Sequence, residues 1–363
     1  MVDGNSRPRP ERRGDGYYAV FGNPVLHSRS PQLYNSMFAL HGIDAFYTRI
    51  LTSSAGRVCA LIRGMGLAGG NVTTPFKDGV VSCVDSLSPD ARLIGAVNTI
   101  VSRNGLLTGY NTDGTGVTGA LLEAGHDPAG KRCMVIGAGG AGRAAAVGLV
   151  RAGADVVMVN RNIERFAGFA SRLGCRIAEP GAADTGTADT GVADTGAADP
   201  GAKSVRSGSS DVDPGAKSVR SGSSDIHPGD YDIIVVTLPP GVFPFDRRQL
   251  HERQVILDAN YRPADVSGPA GWPCRVVTGE RWLLHQATEA YRLFTGRAAD
   301  TSVMDEAMAH VPAPDDIVTA VVIDEHRSAM EYGRPGLLVD AAGYDAGELK
   351  RITDEEKNRA FGH

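Results

Sequence analysis

Cysteines, aromatic residues and long apolar runs are all scarce in this chain. Its 363 residues include five cysteines and 6% aromatic residues. The cysteines are odd in number, lie far apart and form no CxxC or Cys/His cluster, so neither a disulfide framework nor a metal site is expected. We expect reduced, mostly buried thiols at Cys59, Cys83, Cys133, Cys175 and Cys274.

An excess of positive charge is absent as well. The formal net charge is −5, which gives no overall basic field of the kind that attracts nucleic acid or anionic membranes. No stretch reaches membrane-spanning length without charge, and residues 1–16 carry Arg and Pro where a signal peptide needs an apolar core. We therefore expect a cytoplasmic protein whose partner is a small molecule, with no nucleic-acid and no membrane partner.

Strand and helix signals alternate along most of the chain. Tyr17–Gly22 predicts a short strand, and Ser30 followed by Pro31 predicts a helix start with Ser30 as its N-cap. The segment Lys131–Arg161 predicts a strand, a glycine loop, an Ala-rich helix and a second strand. This alternation, with 42% hydrophobic residues, predicts an α/β fold with enough core for two domains.

Two regions fall outside that pattern. Residues 179–229 are low in complexity, and Asp199–Asp211 is repeated at Asp213–Asp225. Such a stretch cannot bury enough surface to offset its ordering entropy, so we expect a disordered insertion. Residues 297–363 form an extension of unknown role, in which the β-branched run Ile317–Ile323 predicts a strand or arm packed on its own domain or on a second subunit.

A glycine-rich loop lies between the strand and the helix of the βαβ unit. It satisfies GxGxxG, and this context favours dinucleotide binding, because the glycines allow a tight turn and a pyrophosphate can then approach the helix N-terminus. The alternative is a loop that only packs a helix on a strand. The predicted cofactor-binding residues of the loop are Gly137, Ala138, Gly139, Gly140, Ala141 and Gly142.

The second strand of this unit ends in Asn160 and Arg161, where NAD-binding proteins usually carry Asp or Glu for the ribose 2′-hydroxyl. Arg161 can pair with a 2′-phosphate, and Arg165, four residues on, would add a second guanidinium on the same helical face. NADP is therefore favoured over NAD. The alternative is that both arginines are solvated surface residues.

Four further segments resemble the shikimate dehydrogenase family. They are GNPVLHSRSP at 22–31, GNVTTPFK at 70–77, GAVNT at 95–99 and NTD at 111–113. The likeness runs in order from about Tyr17 to Gly296, interrupted by the insertion, and includes Tyr261-Arg-Pro and Gly279. The resemblance implies reversible NADPH-dependent reduction of 3-dehydroshikimate to shikimate, a step of chorismate and aromatic amino-acid biosynthesis.

The resemblance also implies roles for single residues. Lys77 and Asp113 would form an acid–base pair beside the reacting hydroxyl, with Lys77 just inside a helix expected to start at Thr74-Pro75. Residues implied to bind the substrate are Ser28, Ser30, Thr73, Asn98, Tyr261 and Gln286. Thr237 and Gly279 are implied to contact the cofactor.

The chain departs from the family pattern in two places. It reads Thr237-Leu-Pro-Pro-Gly-Val242 where the family usually has Thr-Pro-x-Gly-Met, and Trp282 replaces a usual Met. Both departures are expected to flank the pocket. The sequence therefore does not decide which substrate is preferred. One alternative is a quinate/shikimate dehydrogenase, and another is a non-catalytic NADP-binding regulator with the same fold.

These observations predict two domains with the active site in the cleft between them. Residues 1–16 would be a disordered leader. Residues 17–113 would form an N-terminal open-sheet substrate domain completed by a helix at 281–296, and residues 114–280 a Rossmann-type, doubly wound NADP-binding domain. A homodimer is an open expectation.

Overall fold

The computed structural model describes residues 16–180, 226–261, 272–310, 320–334, 336–342, 344–345, 347–351 and 354–355. Apart from Gly16, the expected leader lies outside the described residues, and so do residues 181–225 of the expected insertion.

Strands and helices alternate through most of the described chain. The first half contains β1 (Gly16–Gly22), α1 (Ser30–Leu40), β2 (Ala45–Leu51), α2 (Ala55–Gly64), β3 (Gly69–Val72), β4 (Ser86–Leu87), α3 (Pro89–Ile94), β5 (Thr99–Arg103), β6 (Leu106–Tyr110), α4 (Asp113–Glu123), β7 (Arg132–Ile136), α5 (Gly140–Arg151), β8 (Asp155–Val159), α6 (Ile163–Leu173) and β9 (Arg176–Ala178). The second half contains β10 (Ile233–Val236), β11 (Val255–Asp258), β12 (Arg275–Val277), α7 (Gly279–Thr295), α8 (Thr301–Ala309), β13 (Ala320–Ile323) and β14 (Leu337–Asp340).

The strands form two sheets. In the first sheet the order is β13-β14-β2-β1-β3-β5-β6-β4, and it is mixed, because β1 pairs in parallel with β2 and β3 while β5 runs antiparallel to β3 and β6. In the second sheet the order is β12-β11-β10-β7-β8-β9, and all pairs are parallel. If β7 is taken as the first strand and β12 as the sixth, the order of the second sheet is 6-5-4-1-2-3. This is the strand order of the doubly wound dinucleotide-binding fold, read from the opposite edge. The predicted fold class is confirmed.

The strands of the second sheet are short, nearly continuous apolar runs. Examples are RCMVI in β7 and IIVV in β10, whose inner residues are buried. Such runs are typical of parallel strands that helices cover on both faces. The strand order reverses between β7 and β10, and in folds of this kind ligands bind outside the carboxyl ends of the strands at that point.

Helices α4 and α7 pack against each other between the two sheets. Helix α7 ends at Gly296, whose φ of +74° gives the left-handed cap that glycine favours. Most of its buried side chains, such as Leu284 and Phe294, join the core of the first sheet, whereas Trp282 joins that of the second. The helix predicted at 281–296 therefore begins two residues earlier and contacts both cores.

Two local predictions are wrong. Arg29, not Ser30, holds the N-cap position of α1, and the Ser30 hydroxyl instead bonds the Ser28 hydroxyl. No α-helix starts at Thr74-Pro75: Lys77 lies in a turn, and the next helical residues are the 3-10 turn Gly79–Ser82. The Lys77 carbonyl accepts from the Val97 N–H at 2.8 Å, which ties this turn to the chain before β5.

The described part of the C-terminal extension adds two strands to the first sheet and one helix that packs beside it. Helix α8 packs against α1, and β14 pairs with β2 and with β13. The run predicted as a strand at 317–323 forms β13 over residues 320–323, on its own domain, and residues 317–319 lie outside the described residues.

All five cysteines are free, and three of them, Cys59, Cys133 and Cys175, are buried. Burial raises the pKa of the Cys59 and Cys133 thiols to about 12, so both stay protonated at neutral pH. Across the described ranges, no helix combines the length and the apolar character needed to cross a membrane.

Candidate active site

A cleft of about 530 Å³ opens between the two sheets. Its walls come from the ends of β1, β3, β10 and β11 and from the first turns of α1, α4, α5 and α7. The predicted site residues that line it are Ser28, Ser30, Thr73, Lys77, Asn98, Asp113, Ala141, Thr237, Tyr261, Gly279 and Gln286.

Lys77 and Asp113 are hydrogen-bonded neighbours in the lining of the cleft. Lys77 Nζ donates to Asp113 Oδ2 at 2.6 Å, and the two side chains are 20% and 7% exposed. Asp113 is the first residue of α4, where a carboxylate is favoured by the positive end of the helix dipole. The pair is therefore a preformed, charge-assisted hydrogen bond that is open to the cleft.

The amide of Asn98 fixes the second oxygen of Asp113. Asn98 Nδ2 donates to Asp113 Oδ1 at 2.8 Å and to Gln286 Oε1 at 3.0 Å, while Asn98 Oδ1 accepts from the Thr112 N–H at 2.9 Å. Asn98 is 2% exposed. A buried amide with partners on both its ends has one orientation, so it holds Asp113 and Gln286 in place.

Two serines occupy another part of the cleft wall. Ser28 Oγ and Ser30 Oγ lie 3.2 Å apart, and the residues are 5% and 4% exposed. The Ser28 carbonyl accepts from Arg49 Nε at 3.0 Å and from Arg49 Nη2 at 2.7 Å. Burial lowers the pKa of Arg49 to about 10, an effect that Tyr261 and Tyr47 oppose, so its guanidinium is still charged at neutral pH.

Sequence reasoning missed several residues that support this cleft. Asn71 lines it, accepts from Tyr47 Oη at 2.7 Å and donates to the Asn98 carbonyl at 3.1 Å. In the sequence, Asn71 could have been noticed as a polar residue inside the short strand GGNV of β3. Arg49 could have been noticed in the same way, as a charged residue inside the strand AFYTRIL of β2. A buried polar residue in an apolar strand needs partners, and these partners are at the site.

Thr73 and Tyr261 line the cleft from different sheets, Thr73 after β3 and Tyr261 after β11. Thr73 follows β3, and its N–H donates to the Phe21 carbonyl at 2.8 Å. The Tyr261 ring lies 6.2 Å from that of His27, which also lines the cleft. Residues 262–271, including the rest of the Tyr-Arg-Pro motif, lie outside the described residues.

The glycine loop joins β7 to α5 at the point where the strand order of the second sheet reverses. Gly137 has φ +104°, and a Cβ at Gly142 would lie 2.1 Å from the Gly137 carbonyl oxygen, so both positions need glycine. Gly139 is the N-cap of α5, makes no side-chain cap, and a Cβ there would meet nothing within 4 Å. The N-cap position of α5 is therefore open, whereas Gly140, the first residue of the helix, packs close to Ala96 and Asp78.

The residues that were predicted to bind the 2′-phosphate of NADP lie just after β8. Asn160 is half-buried and its Nδ2 donates to the Asn162 carbonyl, while Arg161 and Arg165 are exposed. Helix α6 begins at Ile163, so the single helical face predicted for the two arginines is wrong: Arg161 precedes the helix. Arg165 lies over the Phe166 ring at 5.3 Å.

Within the described part of the chain, no group of three or more His, Cys, Asp or Glu side chains is arranged to hold a metal ion.

Comparison with known proteins shows which family has this arrangement. The shikimate dehydrogenase substrate-binding domain matches residues 20–100, and the shikimate 5′-dehydrogenase C-terminal domain matches residues 283–309. A shikimate dehydrogenase (NADP(+)) of Moorella thermoacetica is 35% identical over 301 residues, which cover 81% of this chain and 92% of that protein. This chain belongs to the shikimate dehydrogenase family. The resemblance found in the sequence motifs is thereby confirmed.

Solved structures of the shikimate dehydrogenase family share the fold. Shikimate 5-dehydrogenase from Thermus thermophilus, in complex with NADP(H) and shikimate, is 27% identical with a TM-score of 0.61, and the match covers 81% of this chain and 98% of that one. Quinate dehydrogenase from Corynebacterium glutamicum, in complex with NAD, also has a TM-score of 0.61 over 81% of this chain and 99% of that one. Its 23% identity establishes a common fold alone.

The two departures from the family pattern both reach the cleft. Leu238, Pro239 and Pro240 of the altered run line it, and so does Trp282, which is 5% exposed. Trp282 is packed in the core of the second sheet, and its large ring is therefore held in place at the cleft wall. Neither change displaces Lys77 or Asp113 from their contact.

Proposed function

We propose that this chain catalyses the reversible NADPH-dependent reduction of 3-dehydroshikimate to shikimate. The observation that carries the proposal is the Lys77–Asp113 hydrogen bond of 2.6 Å, in a cleft that the two serines and the start of α5 also line. The family of this chain supports the same reaction, which would place it in chorismate and aromatic amino-acid biosynthesis.

The glycine loop fits the pyrophosphate of NADP. The start of α5 has no side-chain cap and its N-cap position at Gly139 is open, and the N–H groups and the dipole of such a helix end favour an anion. Gly137, Ala138, Gly139, Gly140, Ala141 and Gly142 would form the pyrophosphate cradle. Thr237 and Gly279 would contact the cofactor at the cleft, which both of them line.

Three residues after β8 would select NADP over NAD. We infer that Arg161 and Arg165 pair with the 2′-phosphate and that Asn160 contacts the same end of the cofactor. Both guanidiniums are exposed and follow the second strand of the βαβ unit, where the ribose of a bound dinucleotide lies in this fold. The ring of Phe166 supports the guanidinium of Arg165.

When bound, NADPH supplies the hydride that reduces the carbonyl carbon. The protein must then deliver one proton to the carbonyl oxygen and recover it in the reverse direction. Lys77 Nζ holds a proton next to Asp113 Oδ2, and Asn98 keeps that carboxylate oriented. We therefore assign Lys77 and Asp113 as the acid–base pair.

The remaining polar groups suit a small polyol carboxylate. Ser28 and Ser30 offer two neighbouring hydroxyls to the carboxylate, while Thr73, Tyr261 and Gln286 offer neutral donors and acceptors to ring hydroxyls. Asn98, which was also predicted to bind the substrate, already donates to Asp113 and Gln286, so it would act by orienting these two residues. Arg49 holds the serine segment from behind through the Ser28 carbonyl.

We also propose the domain division: a substrate domain of residues 17–113 completed by the helix at 281–296, and an NADP domain of residues 114–280. Strands β1–β6 fall in the proposed substrate domain and β7–β12 in the proposed NADP domain, while β13 and β14 of the extension add to the first sheet. A cytoplasmic location and a homodimer stay predictions.

The decisive assay measures NADP- and NAD-dependent oxidation of shikimate and of quinate by the purified chain. Our proposal expects the largest kcat/KM for shikimate with NADP. A larger value for quinate would favour the quinate/shikimate alternative, which can use the same residues. NADP binding without turnover of either compound would favour a non-catalytic regulator, against which the intact Lys77–Asp113 pair argues.

A further inference from the structure

The C-terminal extension is built into the first sheet next to the substrate side of the cleft. β14 pairs with β2, with Leu338 opposite Ile50 and Val339 opposite Leu51. Leu338 and Val339 are 2% and 0% exposed and belong to the cores on the two faces of the sheet. β14 is therefore an interior strand of the fold.

A buried carboxylate fixes the end of β14. Asp340 is fully buried, and its Oδ2 accepts from Thr52 Oγ1 at 2.8 Å and from Arg57 Nε at 3.0 Å. Its Oδ1 accepts from Arg57 Nη2 at 2.8 Å. A buried charge with this many partners holds its strand in one position.

From this anchor the extension reaches the chain segment of residues 23–30, which we name the serine loop. The hydroxyl of Tyr344 accepts from Asn23 Nδ2 at 3.2 Å, at the beginning of the loop. The Gly336 carbonyl accepts from Arg49 Nη1 at 3.4 Å, and the same guanidinium donates twice to the Ser28 carbonyl near the end of the loop. The extension thus contacts the loop directly at one end and through Arg49 at the other.

We propose that the C-terminal extension positions the serine loop for the substrate carboxylate, with Tyr344 as a positioning residue. Tyr344 does not line the cleft, so it acts through Asn23, whose neighbour Pro24 does. Holding the loop in its binding conformation lowers the ordering cost of substrate binding, which is expressed in KM. This inference rests on the proposed function, because that function assigns the carboxylate to Ser28 and Ser30.

The test compares two tyrosine-to-phenylalanine variants of the full chain. Tyr344→Phe removes the hydroxyl that contacts Asn23. Tyr332→Phe is the matched control, because its hydroxyl bonds only the backbone of Asp324 within the extension in the contacts described. For Tyr344→Phe we expect the KM for shikimate to rise about 3- to 10-fold, as for one lost hydrogen bond, with kcat and the KM for NADP within about twofold. Tyr332→Phe should leave all three unchanged.

A second measurement does not depend on activity. Amide hydrogen exchange of the substrate-free protein reports the loop itself, because the N–H groups of Asn23 and Ser28 bond the carbonyls of Thr74 and Val25. We expect exchange at these amides to be at least about threefold faster in Tyr344→Phe than in the wild type or in Tyr332→Phe. If the enzyme turns over neither shikimate nor quinate, the proposed function fails while this result still decides the positioning role. Unchanged exchange in the loop, an unchanged shikimate KM in an active enzyme, or equal effects from both variants would overturn the inference.

Discussion

Arg143 Nη2 donates to Asp78 Oδ1 at 3.0 Å, which joins the first turns of α5 to the residue that follows Lys77. The same guanidinium donates from Nη1 to the Ala138 carbonyl in the glycine loop at 2.9 Å and from Nε to the Ile94 carbonyl at 2.6 Å. Arg143 is 7% exposed. One buried side chain thus links the cofactor loop, the turn of Lys77 and the end of α3.

Arg143→Met should destabilise the protein. Methionine keeps most of the aliphatic length but leaves buried carbonyls without their charged donor, so we expect the free energy of unfolding to fall by about 2–4 kcal/mol in urea denaturation. Arg151→Met, on the same helix but half-exposed, is the control and should cost under about 1 kcal/mol. Equal losses in the two variants would show that the Arg143 contacts contribute nothing specific.

Lys77→Ala and Asp113→Asn should each abolish most turnover. Both remove one partner of the proposed acid–base pair, so we expect kcat to fall at least about a hundredfold while NADP affinity changes little. Steady-state kinetics and NADP titration measure the two quantities, and the exposed Lys131→Ala is the control for loss of a lysine. Near-wild-type kcat in both variants would defeat the assignment.

Arg161→Ala should affect one cofactor only. Loss of a charged hydrogen bond to the 2′-phosphate should weaken NADP binding by about 1.5–3 kcal/mol, or roughly 10- to 150-fold in Kd, and leave NAD binding nearly unchanged. Arg172→Ala, in the last turn of α6, is the matched control. The same loss for NAD as for NADP would mean that Arg161 does not read the phosphate.

The parts of the site that lie in continuous motifs could be predicted from the sequence. The GxGxxG loop was recognisable because a strand and a helix flank it, and Lys77 and Asp113 because each lies in a run typical of the family. The prediction failed where a local signal had two readings. Ser30 before Pro31 suggests an N-cap, but its hydroxyl bonds Ser28, and Thr74-Pro75 suggests a helix start but is followed by a turn.

Contacts between segments that are distant in the sequence could not be predicted from it. The β-branched composition of residues 317–323 predicted a strand or arm, but it does not say that β14 pairs with β2 or that Arg57 contacts Asp340. Arg49 and Arg143 are further cases. A single arginine in an apolar strand or helix does not show which carbonyls will accept its hydrogen bonds. Such contacts depend on the whole topology and not on a local window.

A carboxylate network at the far end of α4 gives a prediction about pH. Arg281 hydrogen-bonds Glu123, and His285 Nε2 lies 3.2 Å from Glu123 Oε2. These partners, Arg281 first, hold the pKa of Glu123 below its ordinary value. A folded-state pKa below the unfolded value means that ionised Glu123 stabilises the folded protein above the unfolded pKa, near 4.3. That stability is lost as the pH falls through the lowered folded value.

Glu123→Gln should therefore lower the free energy of unfolding at pH 7 and converge with the wild type in acid. Because the Glu123 side chain is 40% exposed, solvent screening limits the difference to under about 1 kcal/mol. Urea denaturation of both proteins at intervals from pH 7 downward measures it, and Glu306→Gln on α8 controls for removal of an exposed carboxylate. The difference should be present between pH 7 and about 5 and shrink below about 4.3, where the unfolded carboxylate takes up its proton before the folded one does. A difference that stays the same down to the lowest pH at which both proteins fold would show that the ion pair with Arg281 is not its source.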